Sequence, residues 1–210
     1  MIKLLVARHA NTFDKGDVLL RVGKRTDLPL SNSGKRQAFL LGKYLAQQYP
    51  QIDKIYTSTL QRTQQTAKII METMHLFTDV AINKIFDEID YGDYDGIPEK
   101  EVIAKIGKEA MAKWENQAIA PVKWQIDINK IKKNWQDFAS NIILTNINKN
   151  INKIILIITS NGIARFLPCI LDNPVEFIAT NKIKLATGAI SCFSFVNKWQ
   201  VDYWNLLPPK

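Results

Sequence analysis

Short apolar segments alternate with longer segments of helical periodicity along this 210-residue chain. Residues 2–7 and the run 154–158 are short and continuously apolar, which is typical of buried strands. Apolar residues recur at helical spacing within 32–48 and 60–75. Strands that alternate with helices favour a parallel sheet covered by helices. We therefore predict an α/β fold, a three-layer sandwich with a mostly parallel central sheet and helices on both faces.

The rest of the chain extends the same alternation and ends in an antiparallel element. No internal repeat or linker divides the sequence, so we predict a single domain over 1–210, with a helical insertion at about 97–125. The remaining predicted elements are a strand at 53–57, an acidic, turn-rich stretch at 80–100, helices at 98–118 and 129–147, a strand at 153–158, a short helix after Gly162, a loop containing Pro174, and a hairpin of strands at 189–196 and 199–205.

The composition of the chain indicates which kinds of ligand and partner are not expected. The net charge is +8, but the lysines are dispersed and no stretch interleaves aromatic with basic residues, so we expect no nucleic-acid binding. The apolar runs are too short for a signal sequence or a membrane span, so we expect a cytoplasmic protein without a membrane partner. Cys169 and Cys192 lie outside any metal-binding spacing. We expect free core thiols, no metal and no cofactor.

Polar side chains follow three of the predicted strands directly. Arg8 and His9 follow the first strand, Ser58 and Arg62 follow the second, and Ser160–Gly162 follow the strand at 153–158. Ligands of open α/β sheets bind beyond the carboxyl ends of the strands, so we expect these groups to converge there.

This set of side chains suits phosphoryl transfer. Arginine presents a rigid fork of donors that matches phosphate oxygens, so Arg8 and Arg62 together can hold a dianion. A neutral imidazole at His9 can act as a nucleophile toward phosphorus. Nearby cations disfavour its protonated form and keep the ring nucleophilic.

Five blocks of the sequence resemble the histidine phosphatase superfamily, which includes the cofactor-dependent phosphoglycerate mutases. The likeness runs from residue 2 to about 205 and implies a phosphoglycerate mutase-like fold. The blocks are Leu5–Thr12, Asp27–Ala38, Ser58–Ala67, Glu88–Gly96 and Thr159–Gly162.

The resemblance implies a role for each block. His9 would be the nucleophile that forms a transient phosphohistidine, and Arg8 and Arg62 would bind the phosphoryl oxygens. Glu88 would protonate the leaving oxygen and then activate water. Asp90 is the alternative proton donor, because it lies in the same acidic block.

Three positions depart from the family pattern. Ala10 replaces the signature glycine, Asn11 stands where many relatives have an acidic residue or glutamine, and Asn161 stands where the family has its second histidine. Asn161 can donate a hydrogen bond to a phosphate oxygen but cannot carry a positive charge. We group Asn11 and Asn161 with the phosphate-binding residues.

Other residues complete the predicted site or are assigned to packing. Arg21 and Gly162 are predicted to bind the rest of the substrate, and Arg25 is a second loop candidate for that role. His75 lies near a helix end outside the blocks and is interpreted as structural. Three tryptophans are interpreted as packing for the helical insertion: Trp114, Trp124 and Trp135.

The preferred function is metal-independent hydrolysis of a small phosphorylated metabolite through a phosphohistidine at His9, weakened by Asn161. The alternative is a catalytically impaired protein of the same fold that binds phosphate or a phosphorylated ligand. A phosphoglycerate mutase is a second alternative, for which only Arg21 loosely matches the extra substrate-gripping residues.

Overall fold

A six-stranded sheet lies at the centre of the structure, a computed structural model that describes residues 1–122, 124, 126–146 and 152–209. The strands are β1 (Ile2–Arg8), β2 (Lys54–Thr57), β3 (Val80–Ile82), β4 (Lys153–Thr159), β5 (Ile190–Phe195) and β6 (Trp199–Leu206). Their order across the sheet is β3-β2-β4-β1-β5-β6. Strands β1 to β4 pair in parallel, whereas β5 is antiparallel to β1 and β6 is antiparallel to β5. The predicted α/β fold is confirmed.

Seven α-helices lie within these described ranges. They are α1 (Asn32–Gln48), α2 (Gln61–Met74), α3 (Glu99–Ile106), α4 (Lys108–Gln117), α5 (Ile128–Asn146), α6 (Asn161–Ala164) and α7 (Pro174–Thr180). Short 3-10 helices lie at Lys84–Phe86, Gly92–Tyr94 and Leu167–Ile170. Among the described residues, no helix is long and apolar enough to cross a membrane.

Residues of β1 alternate between two hydrophobic cores, one on each face of the sheet. Leu5 and Ala7 pack with Leu41 of α1 and Ile70 of α2. On the other face, a larger core combines Ile2, Leu4 and Val6 with Trp135 and Ile142 of α5 and with the insertion helices. A strand that is buried on both faces needs an unbroken apolar run, which is the pattern that the sequence shows.

Helix α1 begins directly after a capping serine. Ser31 has an extended backbone, and its Oγ accepts a hydrogen bond from the backbone N–H of Gly34 at 3.1 Å. This bond satisfies one of the free N–H groups of the first helical turn. Gly34 also lies against the loop after β1, because a Cβ there would come within 2.0 Å of the carbonyl oxygen of Asn11. The start of α1 is therefore packed against the chain that follows His9.

Three predicted segments contain features that the sequence did not indicate. The stretch 98–118 is helical as predicted but is divided into α3 and α4, because Gly107 interrupts it with a φ of +98°. The stretch predicted as turns at 80–100 contains β3, a three-residue edge strand. The loop predicted around Pro174 contains α7, where Asn173 caps the helix and Pro174 occupies its first turn.

The other elements fall close to their predicted positions. Helix α5 covers 128–146, and residue 147 of the predicted helix lies outside the described residues. The predicted insertion at about 97–125 contains α3 and α4, although residues 123 and 125 are also outside the described part of the chain. That the whole of 1–210 forms one domain stays a prediction.

Candidate active site

A cavity of about 640 Å³ opens at the carboxyl ends of β1 and β4. The two strands end side by side, with Arg8 paired to Thr159, and the backbone N–H of His9 donates to the carbonyl oxygen of Thr159 at 2.9 Å. Parallel strands share one carboxyl edge, so the polar residues that follow them meet here. Six of the predicted site residues line the cavity: Arg8, His9, Asn11, Arg21, Glu88 and Asn161.

The imidazole of His9 is buried and held in one orientation. Its Nδ1 lies 2.8 Å from the carbonyl oxygen of Ala10, which can only accept, so Nδ1 carries the proton and Nε2 keeps its lone pair. Burial lowers the pKa of His9 well below 6.5, and the positive charges of Arg62 and Arg8 lower it further. The ring is therefore a neutral base near neutral pH.

Two arginines whose charges act on this imidazole each keep an unpaired donor. Arg8 donates from Nη1 to the carbonyl oxygen of Leu185 at 2.7 Å, and the fully buried Arg62 donates to the carbonyl oxygens of Thr26 and Gly23. In each arginine the Nε–H group is buried without a hydrogen-bond partner among the described residues. Unpaired buried donors are costly, and an anion would satisfy them.

Arg62 differs from the other predicted phosphate ligands in its position. It affects the pKa of His9, so the two side chains are near each other, but it is not among the residues that line the cavity. Burial lowers the pKa of Arg62, and the charge of Glu88 opposes that effect. Arg62 therefore lies behind the residues that line the cavity, and its positive charge acts on His9 through them. A direct contact of Arg62 with phosphate stays a prediction.

Glu88 lies in the cavity wall and is positioned by two backbone groups. Its Oε1 accepts from its neighbour Ile89 at 2.8 Å, and its Oε2 accepts from the backbone N–H of Gly162 at 3.2 Å. Asp90, the alternative proton donor, instead forms an ion pair with Arg25 at the surface, and neither residue lines the cavity. The geometry favours Glu88 over Asp90, and it gives Arg25 no contact with the cavity.

Gly162 contacts the carboxylate of Glu88 and does not face the open space of the cavity. It is buried, it does not line the cavity, and a Cβ at this position would lie 2.1 Å from Oε1 of Glu88. Glycine is therefore required for the close approach of the carboxylate to the start of α6. The structure thus places Gly162 as a support for Glu88, which differs from the predicted contact with substrate.

The two asparagines of the predicted site are both fixed by hydrogen bonds. Asn161 Oδ1 accepts from the backbone N–H of Leu185 at 2.9 Å, which leaves the amide NH₂ as the group available to a ligand. Asn11 Oδ1 accepts from the hydroxyl of Thr187, and its Nδ2 donates to Oγ of Ser33 at 3.3 Å. Asn161 therefore offers a neutral donor, whereas the amide of Asn11 is largely used in joining the surrounding loops.

Arg21 connects the cavity wall to the helical insertion. Its guanidinium forms an ion pair with Glu99 of α3 and lies 5.2 Å from the ring centres of both Tyr91 and Trp124. These contacts hold the side chain in place and balance its charge. Trp114, Trp124 and Trp135 are buried in the core beside the insertion, in agreement with their predicted packing role.

Arg165 also lines the cavity, although no motif of the sequence marks it as a site residue. It is 2% exposed, and its guanidinium stacks on Trp114 with 4.0 Å between its central carbon and the ring centre. The one signal in the sequence is its position four residues after Asn161, which places it one helical turn further along. Arginine at such a spacing is common on helix surfaces, so the signal is weak.

A second, larger groove of about 840 Å³ lies between α2 and β3. His75 is one of its lining residues, but no arginine accompanies it among the described residues. His75 ends α2 with a φ of +51°, and its backbone N–H donates to the carbonyl oxygen of Glu72, which supports its structural interpretation. Within the described ranges, no three His, Cys, Asp or Glu side chains are close enough to hold a metal ion.

Comparison with known proteins identifies the family to which the chain belongs. The family described as the histidine phosphatase superfamily (branch 1) matches residues 4–207. The uncharacterized phosphatase PhoE of Bacillus subtilis is 36% identical over 101 residues, 48% of this chain and 49% of that protein. The 2,3-bisphosphoglycerate-dependent phosphoglycerate mutase of Bartonella quintana is 36% identical over 98 residues, 45% of this chain and 47% of that protein. The chain thus aligns with about half the length of these curated relatives.

A solved structure extends the likeness to nearly the whole fold. The mycobacterial glucosyl-3-phosphoglycerate phosphatase, in a complex with VO3, superposes with a TM-score of 0.76 and 20% identity. The superposition covers 97% of this chain and 98% of the mycobacterial chain. At that identity the likeness concerns the fold, and the family match supplies the relationship. This chain belongs to the histidine phosphatase superfamily.

Proposed function

We propose that this protein hydrolyses phosphate monoesters through a covalent phosphohistidine at Nε2 of His9. The observation that carries the proposal is the state of the imidazole, which is neutral and oriented. Its Nδ1 is committed to the carbonyl oxygen of Ala10, so the lone pair lies on Nε2. Burial and the charges of Arg62 and Arg8 keep the pKa of the ring low, so it remains unprotonated and nucleophilic.

The reaction has two steps. In the first, Nε2 of His9 forms a bond to phosphorus as the ester P–O bond breaks, and Glu88 gives its proton to the departing oxygen. In the second, a water molecule attacks the phosphohistidine while Glu88 accepts a proton from it, which releases inorganic phosphate and restores both residues. One carboxyl group in the cavity wall can serve both steps because the group that donates first accepts later.

Positive charge stabilises the phosphoryl group through both steps. The unpaired Nε–H groups of Arg8 and Arg62 are the proposed sources of that charge. Arg8 lines the cavity and can contact the phosphate directly, whereas the charge of Arg62 acts through the cavity wall. The cavity has the volume of a typical small-molecule site, so we propose a small phosphorylated metabolite as substrate.

Asn161 supports a second candidate function. By the family resemblance it occupies the position of the second histidine, and its amide supplies a neutral donor where an imidazolium would supply a charge. A chain that kept Arg8, Arg62 and His9 but lost this charge could bind a phosphorylated ligand with little turnover. The free thiols of Cys169 and Cys192 favour a reducing compartment for either function, and we propose the cytoplasm.

The test is release of inorganic phosphate from 4-nitrophenyl phosphate and from simple alkyl phosphates. We expect turnover by the parent protein without added metal and none by His9→Ala. The matched control is His75→Asn, which removes the only other histidine and keeps a residue that tolerates positive φ. Phosphate binding without turnover in the parent would favour the binding function, and turnover by His9→Ala at the parent rate would exclude the phosphohistidine.

A further inference from the structure

Arg165 is a buried cation whose charge no carboxylate of the described residues balances directly. Its side chain is 2% exposed, yet none of those carboxylates lies within 4.0 Å of its guanidinium. Burial lowers its pKa, and the more distant Tyr91, Glu115 and Glu88 oppose that effect. Burying a charge costs free energy unless it is paired, so an anion bound to this guanidinium would be stabilising.

Two of the other cations that line the same cavity are already paired with carboxylates. Arg21 forms its ion pair with Glu99, and Lys184 forms one with Glu115 at 2.5 Å. An anionic ligand would have to compete with those carboxylates for either cation. Arg165 faces no such competition within the described residues, which makes it a stronger candidate than Arg21 or Lys184 to receive a ligand charge.

Two hydrogen bonds fix the guanidinium so that one edge remains for a ligand. Its Nε donates to the carbonyl oxygen of Asn161 at 3.2 Å, and its Nη1 donates to the carbonyl oxygen of Trp114. The ring of Trp114 covers one of its faces. Its Nη2 has no hydrogen-bond partner among the described residues, and the side chain lines the cavity. The donor group is therefore preorganised, which lowers the entropy lost on binding.

The surroundings of Arg165 differ from those of His9. Arg165 stacks on Trp114, whose ring centre lies 5.5 Å from that of Trp124, the ring on which Arg21 lies. Burial lowers the pKa of Arg8 and the charge of Arg165 lowers it further, whereas the charges that lower the pKa of His9 are those of Arg62 and Arg8. In the proposed reaction Arg8 and Arg62 stabilise the phosphoryl group. Arg165 lies beside Arg8 on the side of the helical insertion, toward Arg21, where the rest of a bound ester would extend.

We propose that Arg165 binds a second anionic group of the substrate, so that the preferred substrates are phosphate monoesters that also carry a carboxylate or a second phosphate. This inference rests on the proposed function, because it assumes that the ester phosphate lies at His9. A guanidinium forms charge-assisted, bidentate hydrogen bonds with either anion. The competing explanation is that Arg165 only braces α4 through the carbonyl oxygen of Trp114.

Matched pairs of esters separate these explanations. One pair is phenyl phosphate and 4-carboxyphenyl phosphate, and the other is propyl phosphate and 3-carboxypropyl phosphate, so each pair differs by one carboxylate and the two differ in reach. We expect the parent to favour the carboxylated ester in kcat/KM by about tenfold or more in at least one pair. Arg165→Gln should reduce that preference to about threefold or less, because the loss on the carboxylated ester should exceed the loss on the plain ester. Arg165→Lys should keep part of the preference, because lysine retains the charge but not the fork.

The control is Arg36→Gln, which removes the same charge from an exposed position on α1 that does not line the cavity. It should keep the full preference. Equal loss on both members of each pair in Arg165→Gln would support the brace alone and overturn the proposal, as would a parent with no preference in either pair. If thermal unfolding shows that Arg165→Gln does not fold, Arg165→Lys is used instead. A selective loss on the carboxylated esters then supports the proposal, and an equal loss on both members of each pair overturns it.

Binding measurements keep this proposal distinct from the catalytic one. Calorimetry with His9→Ala gives the dissociation constants of the four esters without hydrolysis. A carboxylate preference in binding together with no turnover by the parent would refute the proposed hydrolysis and support the anion site. Turnover by the parent together with equal binding of both members of each pair would support the proposed hydrolysis and refute the anion site.

Discussion

The backbone N–H of Gly162 donates to Oε2 of Glu88 at 3.2 Å, and there is no room for a side chain between the two residues. This contact joins the start of α6 to the acidic segment that precedes the insertion. It brings the proposed proton donor to the same edge of the sheet as His9. The position of Glu88 therefore depends on a glycine 74 residues later in the chain.

Gly162→Ala should displace the carboxylate without unfolding the protein. The new Cβ would lie 2.1 Å from Oε1, which is the mobile end of a side chain and can move away. We expect turnover of propyl phosphate, whose leaving oxygen needs a proton, to fall about tenfold or more, which corresponds to about 1.4 kcal/mol in the barrier. Turnover of 4-nitrophenyl phosphate should fall less, because its leaving group is stable as an anion. An equal loss on both esters would contradict this role of Gly162.

Glu88→Gln should remove proton donation while nearly preserving shape. General acid–base catalysis contributes about 10²–10⁴ in rate, so turnover of propyl phosphate should fall within that range. The matched control is Asp90→Asn, which changes the acid that pairs with Arg25 outside the cavity. Steady-state assays of both variants make the comparison. If Asp90→Asn is the inactive variant and Glu88→Gln is active, Asp90 is the donor.

Asn161→His should raise turnover by one or more orders of magnitude. An imidazolium adds a positive charge beside the phosphoryl group, and each ~1.4 kcal/mol of added transition-state stabilisation is tenfold in rate. The affinity for inorganic phosphate should change less, because Arg8 and Arg62 remain. Steady-state kinetics and phosphate inhibition measure the two effects. A fast parent whose rate is unchanged or lowered by Asn161→His would show that the asparagine is adapted to catalysis.

The low pKa of His9 predicts a pH dependence of stability. In the folded protein the ring stays neutral well below pH 6.5, whereas in the unfolded chain it takes up a proton near its ordinary pKa of about 6.5. The unfolded state is therefore favoured as the pH falls below that value, by at most about 1.4 kcal/mol per pH unit.

Urea unfolding at pH 7.5 and 5.5 measures this effect. The free energy of unfolding of the parent should fall more over this interval than that of His9→Ala, since the variant lacks the group that takes up the proton. His75 is present in both proteins and cancels in the comparison. Equal losses in the two proteins would mean that His9 is not held neutral by the fold.

Inorganic phosphate should stabilise the folded protein through the unpaired donors of Arg8 and Arg62. A ligand that binds only the folded state at 100 times its dissociation constant adds about 2.7 kcal/mol to the free energy of unfolding. Thermal unfolding with increasing phosphate measures the shift, with sodium chloride at equal ionic strength as the control. Arg62→Gln should reduce the shift, and a full shift in that variant would remove Arg62 from the site.

The sequence was sufficient to predict the residues that follow strands. Arg8 ends β1, His9 follows it, and Asn161 follows β4, so the pairing of two parallel strands brings them together. That prediction needs only the apolar runs and the rule that parallel strands share a carboxyl edge. Glu88 came from the family resemblance, and its position depends on contacts with Gly162 that no local pattern contains.

The parts that were not predicted depend on tertiary contacts. Arg165 becomes part of the cavity because Trp114, 51 residues earlier, accepts its hydrogen bond and covers its face. The break at Gly107 and the edge strand β3 are short features whose local signals compete with longer patterns on either side. Arg62 was predicted from its place after β2, but its burial behind the cavity wall follows from the carbonyl groups of Gly23 and Thr26.

The most direct test of the mechanism is to trap the covalent intermediate. The parent, mixed with a ³²P-labelled ester and quenched in alkali during turnover, should carry label that is stable in base and lost in acid, as expected for phosphohistidine. Mass spectrometry should place the phosphate on the peptide that contains His9, and His75→Asn should be labelled like the parent. A parent that turns over the ester but gives no labelled protein, or label that persists in His9→Ala, would contradict the account.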